Sequence, residues 1–446
     1  MQAVWFRVVL LVAMALPMLV LYATSTLGHY LSADLQFEHH LIGFLITSSF
    51  GVAAVLSLWA GNIVDYLGSR QSLRLLFATI VVAFIVVITT PNFYGLVGAA
   101  AICGIAQALA NPVTNLLIAQ QVPPAQKAGV VGLKQSGVQL SALFAGLVLT
   151  KVAADYGWRV AFGSIIPIAL LFLLAVPSVT PKQHQAVNKS FALPTINPLV
   201  ARLMSVQFCV GLSLSAFVTY LPTFAALQGM PKTLAGSLIA VFGVMGILSR
   251  IILTPLGAKL RDESWLLLTL VIIAALSVVI TIQATPEYYL PLWVGAIGVG
   301  LTAVGTNAIA MSMLIRDPKD FGHVPTASGL VSVAFFGGFA IGPALYAALS
   351  YYSGSLALSW NTVIGIFLLS GVMAVLLAVA RHKAPTESTE VLALQAEMAE
   401  LKQRITVLEH NYAQVLTQLA ESSPTPTAQV IPLLPAKKNK TRTKRR

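Results

Sequence analysis

Charged residues are scarce in this chain. Only 9% of its 446 residues are Asp, Glu, Lys or Arg, whereas a typical soluble domain carries about 25%. Hydrophobic residues make up 57%, and apolar runs of about 20 residues, long enough to cross a bilayer as a helix, recur along the sequence. This composition excludes a soluble globular protein and predicts an all-α polytopic membrane protein.

Residues for redox, metal or covalent chemistry are few as well. The two cysteines, Cys103 and Cys209, lie inside apolar runs, where a thiol behaves as a small hydrophobic group. The sequence also shows no Gly-rich phosphate loop, no metal-ligand cluster and no nucleophile arrangement. We therefore expect neither a disulfide framework nor an enzyme, and no metal or cofactor.

Carboxylates are missing from the apolar runs. Proton-driven transporters commonly relay protons through buried carboxylates, and cation exporters bind their substrates with them. Neither activity is favoured here, because the acidic residues that precede the C-terminal tail all fall between the runs: Asp34, Glu38, Asp65, Asp155, Asp262, Glu263, Glu287, Asp317 and Asp320.

The apolar runs form two groups of six, joined by a polar, proline-containing linker over residues 180–199. We predict twelve transmembrane helices in two halves, residues 1–179 and 200–383. The predicted spans are 6–27, 40–60, 73–90, 94–119, 128–150 and 159–178 in the first half, and 201–224, 233–256, 264–283, 288–315, 325–350 and 360–380 in the second.

Basic residues give the orientation. Most Lys and Arg residues of the short loops lie inside if the N-terminus is cytoplasmic, which the positive-inside rule favours. We therefore predict a multi-pass protein of the cell inner (plasma) membrane with both termini in the cytoplasm. Of the formal net charge of +12, seven charges come from the last ten residues; the anionic inner leaflet is their nearer partner, and no nucleic acid is expected.

A short charged turn from Gly61 to Arg74 separates the second and third spans. It resembles the loop between the second and third helices of transporters of the major facilitator superfamily. That pattern is Gly, three residues, Asp, a basic residue, any residue, Gly and two basic residues. The matching residues are Gly61, Asp65, Gly68 and Arg70, whereas Tyr66 and Ser69 replace basic residues of the pattern.

The second half repeats features of the first at an offset of 196 residues, which relates Asn111 to Asn307 and Gly104 to Gly300. The loop Gly257, Arg261 and Asp262 repeats the first charged turn in the same way. The resemblance implies two pseudo-symmetric halves that rock around a midplane solute site, with the Asp65 and Arg261–Asp262 loops latching the inner closure.

Lys134 is the charged side chain expected deepest in the membrane, because six residues of helix place it about 9 Å inside the fifth span. The run from Lys134 to Gly137 resembles the fifth helix of bacterial permeases of the cyanate and small-organic-anion type. We expect Lys134 to bind the negative charge of the solute. The alternative is a lysine that reaches the cytoplasmic interface or pairs with a carbonyl.

Amides and hydroxyls at helical spacing surround this lysine. In the fourth span Gln107, Asn111 and Asn115 recur every four residues and share a face. That face lines either a cavity or a helix contact, and for Asn115 we favour the contact. Arg250, near the end of the eighth span, is interpreted as part of the second loop's charge network. The predicted substrate-binding residues are Lys134, Gln135, Gln139, Gln107, Asn111, Asn307, Tyr22 and Tyr220.

The C-terminal tail has a different pattern. Apolar residues from Val391 to Leu419 alternate spacings of three and four, which is typical of a coiled coil. With Leu at d and complementary charges at g and e, the pattern predicts a parallel homodimer over 386–421. A single amphipathic helix on the membrane is the alternative. Residues 422–446 form a proline-rich and then basic tail, predicted to be disordered.

Together these features predict a secondary-active or facilitative transporter of a small, anionic organic solute, working by alternating access. Two alternatives stay open. One is an efflux carrier for uncharged or amphiphilic drugs. The other is a transporter-derived membrane anchor or sensor that signals through its coiled coil.

Overall fold

The structure, a computed structural model, describes residues 2–37, 42–180 and 194–421. Its helices are α1 (Gln2–Thr26), α2 (Gly28–Leu35), α3 (Ile42–Thr89), α4 (Phe93–Gln121), α5 (Pro124–Phe144), α6 (Thr150–Tyr156), α7 (Trp158–Gly163), α8 (Ile165–Val179), α9 (Pro198–Leu227), α10 (Lys232–Gly257), α11 (Glu263–Thr281), α12 (Leu290–Arg316), α13 (Pro318–Phe321), α14 (Val324–Ser353) and α15 (Leu356–Glu421). A π-helical turn, Ala145–Leu149, joins α5 to α6. Most of the predicted linker, 181–193, and the whole predicted tail, 422–446, lie outside the described residues. The all-α membrane fold is confirmed.

Eleven helices of the described chain are long and apolar enough to cross a membrane. Twelve crossings were predicted, and the difference lies in α3, whose apolar part, Phe44–Thr89, has 46 residues. One crossing needs only about 20 residues. Gly68, with φ of 74°, interrupts the helical geometry of α3, and glycine adopts this backbone region without a Cβ penalty. The predicted loop between the second and third spans is therefore a one-residue kink.

The two halves repeat a packing contact. A methyl group at Gly104 of α4 would lie 2.6 Å from the carbonyl oxygen of Ser49 on α3. At the corresponding Gly300 of α12, it would lie 2.8 Å from the carbonyl oxygen of Phe242 on α10. Membrane helices approach this closely only where a residue is small. The offset of 196 residues therefore relates positions that pack alike.

The two halves meet closely where α14 crosses α3. A methyl group at Gly61 would lie 2.6 Å from the Cα of Thr326, and one at Gly329 would lie 2.7 Å from the carbonyl oxygen of Ser57. Both contacts join the first half to the second at the end of the bundle that carries the kink. Glycine at these two positions lets the halves close there, backbone against backbone.

Side chains reinforce this closed end. Asn115 of α4 donates a hydrogen bond of 2.8 Å to the Oγ of Ser328 on α14. A carboxylate oxygen of Asp65 lies 3.5 Å from Nδ1 of His323, which directly precedes α14. We call this closed end, with its contacts of Gly61, Gly329, Asn115 and Asp65, the seal.

The second charged loop makes its described contacts inside its own half. Asp262 accepts hydrogen bonds from the backbone N–H of Ser264 at 2.9 Å and from Arg381 at 2.8 Å, so it caps α11 and pairs with α15. Arg261 is exposed. In the first half Arg70 donates to the hydroxyl of Thr180 at 3.1 Å, which ties the kink of α3 to the end of α8.

By contact density the chain divides into two compact units, Met1–His382 and Lys383–Arg446. In the second unit the described residues are helical as far as Glu421. In the second unit, apolar side chains of the predicted seam are between 53% and 68% exposed: Met398, Leu401, Ile405, Leu408 and Tyr412. Within the described residues of the single chain, no apolar surface therefore covers these five side chains.

Candidate functional site

A cavity of about 320 Å³ lies between the two halves. Helices α1, α3, α4 and α5 line it from the first half, and α9, α10, α12 and α14 from the second. Its polar side chains are Tyr22, Gln107, Asn111, Gln135, Gln139, Ser215, Thr219, Arg250 and Asn307. A cavity of this size between helices is the usual form of a small-molecule site.

Arg250 is the one charged side chain among the residues that line this cavity. It lies on α10, is 4% exposed, and its Nη1 donates to the carbonyl oxygen of Gln135 at 2.6 Å and to Oε1 of Gln139 at 2.9 Å. Its Nε donates to the carbonyl oxygen of Val304 at 3.3 Å. All three acceptors are neutral, so within the described chain the guanidinium has protein acceptors but no carboxylate to balance its charge.

The interpretation of Arg250 as part of the second loop's charge network is wrong. That network consists of Asp262, Glu263 and Arg381 with their neighbours, whereas Arg250 faces the cavity. A signal was available in the sequence, because Arg250 lies seven residues before Gly257, about 10 Å of helix rise from the end of α10. The depth argument that singled out Lys134 applies equally to Arg250.

Lys134 lies directly behind the cavity wall. It is 1% exposed, and its Nζ donates to the Oγ1 of Thr114 at 2.7 Å and to the Oδ1 of Asn111 at 3.3 Å. It is not among the residues that line the cavity. Direct contact between Lys134 and the solute stays a prediction. In the structure Lys134 is connected to the cavity by its hydrogen bond to Asn111, which lines it.

Asn111 links this lysine to the opposite half. Its Oδ1 accepts from Lys134 and, at 2.8 Å, from Nε2 of Gln135. Its Nδ2 donates to the Oγ of Ser332 on α14 at 3.1 Å. An ammonium can only donate hydrogen bonds, so the amide oxygen of Asn111 faces Lys134 and its NH₂ group faces the second half.

Six of the eight predicted substrate-binding residues line the cavity: Tyr22, Gln107, Asn111, Gln135, Gln139 and Asn307. Asn307 takes the position in the second half that Asn111 takes in the first, and its Nδ2 donates to Oε1 of Gln207 at 3.3 Å. Tyr220 lies outside the lining residues; its hydroxyl donates to the carbonyl oxygen of Pro343 at 3.1 Å and its ring stacks on Tyr346.

One wall of the cavity is aromatic, and its residues were not among the predicted site residues. Phe242 of α10 and Phe335, Phe336 and Phe339 of α14 line it. Phe50 of α3 packs behind this wall, with ring centroids 5.7 Å from Phe336 and 5.0 Å from Phe339. The cavity therefore combines one cation and several amides with a large apolar surface.

The polar side chains that line the cavity limit what it can bind. No carboxylate lines the cavity, and no group of three or more His, Cys, Asp or Glu residues in the described chain could hold a metal ion. A buried guanidinium among amides and hydroxyls can hold an anion by charge-assisted hydrogen bonds. We see in this arrangement a binding site for a small solute.

Known proteins show the same fold. The sequence model of the Major Facilitator Superfamily matches residues 9–320. The human organic anion transporter MFSD10 (TETRAN) superposes with a TM-score of 0.66 at 15% identity, covering 82% of this chain and 98% of that one. The proton:xylose symporter XylE superposes with a TM-score of 0.67 at 17% identity, covering 86% and 96%. The chain belongs to the major facilitator superfamily of transporters.

Proposed function

We propose that this transporter carries a small organic anion by alternating access, and that Arg250 binds the anionic group. The observation that carries the proposal is the buried guanidinium at the cavity, which has neutral acceptors only. A buried charge without a counter-ion is costly. An anionic solute removes that cost, whereas a neutral or cationic solute does not.

The solute class follows from the walls of the cavity. A single guanidinium matches one carboxylate, since the planar fork of Arg suits carboxylate geometry. The phenylalanines of α10 and α14 supply apolar area for the body of the solute, and about 320 Å³ admits a molecule of small-metabolite size. We therefore propose a monocarboxylate with an aromatic or branched apolar body, which Gln107, Asn111 and Asn307 orient by hydrogen bonds.

The two structural relatives differ in their solutes. The name of one describes an organic anion transporter and the name of the other a sugar symporter, and both resemble this chain only in fold. The charge of the solute must therefore be argued from the cavity of this chain. Its aromatic wall also suits the second candidate, an uncharged or amphiphilic drug, which would use the apolar surface and leave Arg250 without a counter-ion.

The orientation and the membrane follow from the distribution of basic residues. We propose that the seal faces the cytoplasm, that both termini lie there, and that the protein resides in the inner (plasma) membrane. The seal then closes the cytoplasmic route from the cavity in this conformation.

The C-terminal unit suggests a partner. We propose that the exposed seam from Met398 to Tyr412 pairs with the same seam of a second copy in parallel. The exposure of these side chains and the heptad spacing support the proposal. The transport proposal does not depend on it.

The test of the transport proposal compares a carboxylate with its neutral amide. Purified protein in proteoliposomes is assayed for uptake of radiolabelled benzoate and benzamide. We expect saturable benzoate uptake by the native protein, and its loss in Arg250→Gln. Arg202→Gln removes a partly exposed cation outside the cavity whose hydrogen bond among the described residues is to a carbonyl of its own helix, and this variant should keep uptake. Equal uptake of both probes would favour the uncharged-solute alternative.

A further inference from the structure

The hydrogen bond between Arg250 and Gln139 crosses the boundary between the two halves. Gln139 lies on α5 of the first half and Arg250 on α10 of the second, and Nη1 donates to Oε1 at 2.9 Å. About two turns earlier on α5, a methyl group at Gly132 would overlap the carbonyl oxygen of Arg250. The guanidinium therefore joins the halves at the place where their backbones are in direct contact.

The side chains of Gln135 and Lys134, near Arg250, form hydrogen bonds within the first half. The side chain of Gln135 donates to Asn111 within the first half, and Lys134 donates to Asn111 and Thr114, also within the first half. The bond from Nε to Val304 stays within the second half. Nη1 also donates across the boundary to the backbone carbonyl of Gln135 at 2.6 Å, a bond that no side-chain substitution at 135 removes. Among the described side chains that contact Arg250, the amide of Gln139 is the acceptor that lies across the boundary.

We infer that opening the seal also separates α5 from α10, since α5 belongs to the first half and α10 to the second and the halves rock against each other in alternating access. This separation breaks the bond to Gln139. An anion in the cavity supplies its own acceptor oxygens to the guanidinium. A carboxylate that binds Nη1 and Nη2 together must replace one of the two protein oxygens on Nη1, because Nη1 has two N–H groups and both already donate. We infer that it replaces the side-chain oxygen of Gln139, since the other acceptor is a helix carbonyl. A ligand shifts a conformational equilibrium only by interacting differently with the two states. Replacing the Gln139 oxygen by an anion oxygen is such a difference, because Gln139 can reach Arg250 only while α5 and α10 are together.

We propose that the amide oxygen of Gln139 occupies the acceptor position on Arg250 that an anionic solute would take, and so holds the seal shut. The solute's anionic group takes the place of Oε1 on Arg250 and releases α5 from α10. Gln139 is in this respect a positioning residue that links solute binding to opening. The displacement step rests on the proposed function, whereas the lock itself does not.

The experiment reports on the seal without any solute. Ser57 is 1% exposed and lies at the seal, and its hydroxyl has no hydrogen-bond partner among the described residues, so Ser57→Cys removes no hydrogen bond seen there. With Cys103 and Cys209 replaced by alanine, the rate of maleimide labelling of this thiol in detergent-purified protein measures opening. Cooperative thermal unfolding of each variant shows that it is folded.

Gln139→Leu and Gln139→Ala should label about tenfold faster than the reference, as expected for loss of one hydrogen bond to a charged group. Gln121→Leu is the matched control, the same residue type outside the cavity lining with its side-chain bond to the carbonyl oxygen of Val179 inside the first half, and should label at the reference rate. Equal rates for the Leu variants at 121 and 139 would overturn the lock.

Gln139→Glu extends the test. Its carboxylate would bind Arg250 permanently, so labelling should slow, and 10 mM benzoate, which should accelerate labelling of the reference protein, should have no effect. Benzoate acceleration in Gln139→Glu that equals the reference would overturn the displacement step. Faster labelling of Gln139→Leu, together with no benzoate effect on the reference, would instead uphold the lock and contradict the anion proposal.

Discussion

Arg250 and Ser57 make the same kind of backbone contact across the boundary between the two halves of the transporter. A methyl group at Gly132 of α5 would meet the carbonyl oxygen of Arg250, and a methyl group at Gly329 of α14 would meet the carbonyl oxygen of Ser57. Such a contact therefore lies between α5 and α10 and again between α3 and α14. Of the two residues whose carbonyls take part, Arg250 is charged and Ser57 is not. The proposed anion site lies on the α5–α10 side of the cavity.

The close approach of α5 and α10 predicts the effect of a single methyl group. Gly132→Ala would force the Cβ into the carbonyl of Arg250, and overpacking of this kind costs about 1–3 kcal/mol. We expect slower benzoate uptake and a lower thermal unfolding temperature in detergent. Gly129→Ala is the control, since Gly129 lies one turn earlier on α5 with open space around it. Native behaviour of Gly132→Ala would contradict the contact.

Lys134 is expected to be essential for transport although it lies behind the cavity wall. Lys134→Ala removes two hydrogen bonds, to Asn111 and Thr114, and each charged hydrogen bond is worth about 1.5–3 kcal/mol. We expect benzoate uptake to fall about ten- to hundredfold at unchanged expression. Lys134→Arg should retain only part of the native benzoate uptake, because the guanidinium differs in shape from the ammonium.

Lys127→Ala is the control for this lysine, because Lys127 lies in the first turn of α5 and is partly exposed. Benzoate uptake by the Lys127→Ala variant should equal that of the native protein. Unchanged uptake by Lys134→Ala would rule out both direct anion binding by Lys134 and its support of Asn111.

The end of the bundle opposite the seal carries a small acid-sensitive contact. Asp34 on α2 accepts hydrogen bonds from Arg159 and, at 3.1 Å, from Nε1 of Trp158. These two donors, Arg159 foremost, lower the pKa of Asp34 below its usual value of 3.8. A lowered carboxyl pKa stabilises the fold above the unfolded value and loses that contribution as pH falls through the folded value.

Asp34→Asn should therefore lower the unfolding temperature slightly at pH 7 and by less at pH 2.5, because the contribution of the carboxylate shrinks as pH falls below its unfolded pKa. Both side chains of the Asp34–Arg159 pair are half-exposed, so we expect a small change even at neutral pH. Thermal unfolding in detergent at the two pH values measures it. A larger effect of the substitution in acid than at pH 7 would contradict the assignment.

The C-terminal seam predicts self-association. A peptide covering Thr386 to Ser422 should be helical and dimeric by circular dichroism and sedimentation equilibrium, and Leu401→Cys in the full-length protein should crosslink in membranes. Leu401→Glu places a charge in the seam and should abolish dimer formation by the peptide. A monomeric peptide and no crosslink in the membrane would together exclude the dimer.

Much of this protein follows from local sequence pattern. Length and apolarity of the runs predict membrane helices, because unpaired backbone groups cannot lie in lipid. The Gly61–Arg70 turn and the repeat at 196 residues predicted the superfamily, which is confirmed. Helical periodicity also picked out Gln107, Asn111, Gln135 and Gln139, because amides that share one face cannot all lie against lipid.

The tertiary structure decided which of these side chains meet. Arg250 and Lys134 lie at similar depths on α10 and α5, and depth is all that helix rise can report. Only the packing of α5 against α10 places the guanidinium at the cavity and the ammonium behind Asn111. The aromatic wall depended on packing in the same way, because an apolar residue on a membrane helix suits lipid, core or cavity equally well, and only the neighbouring helix distinguishes them.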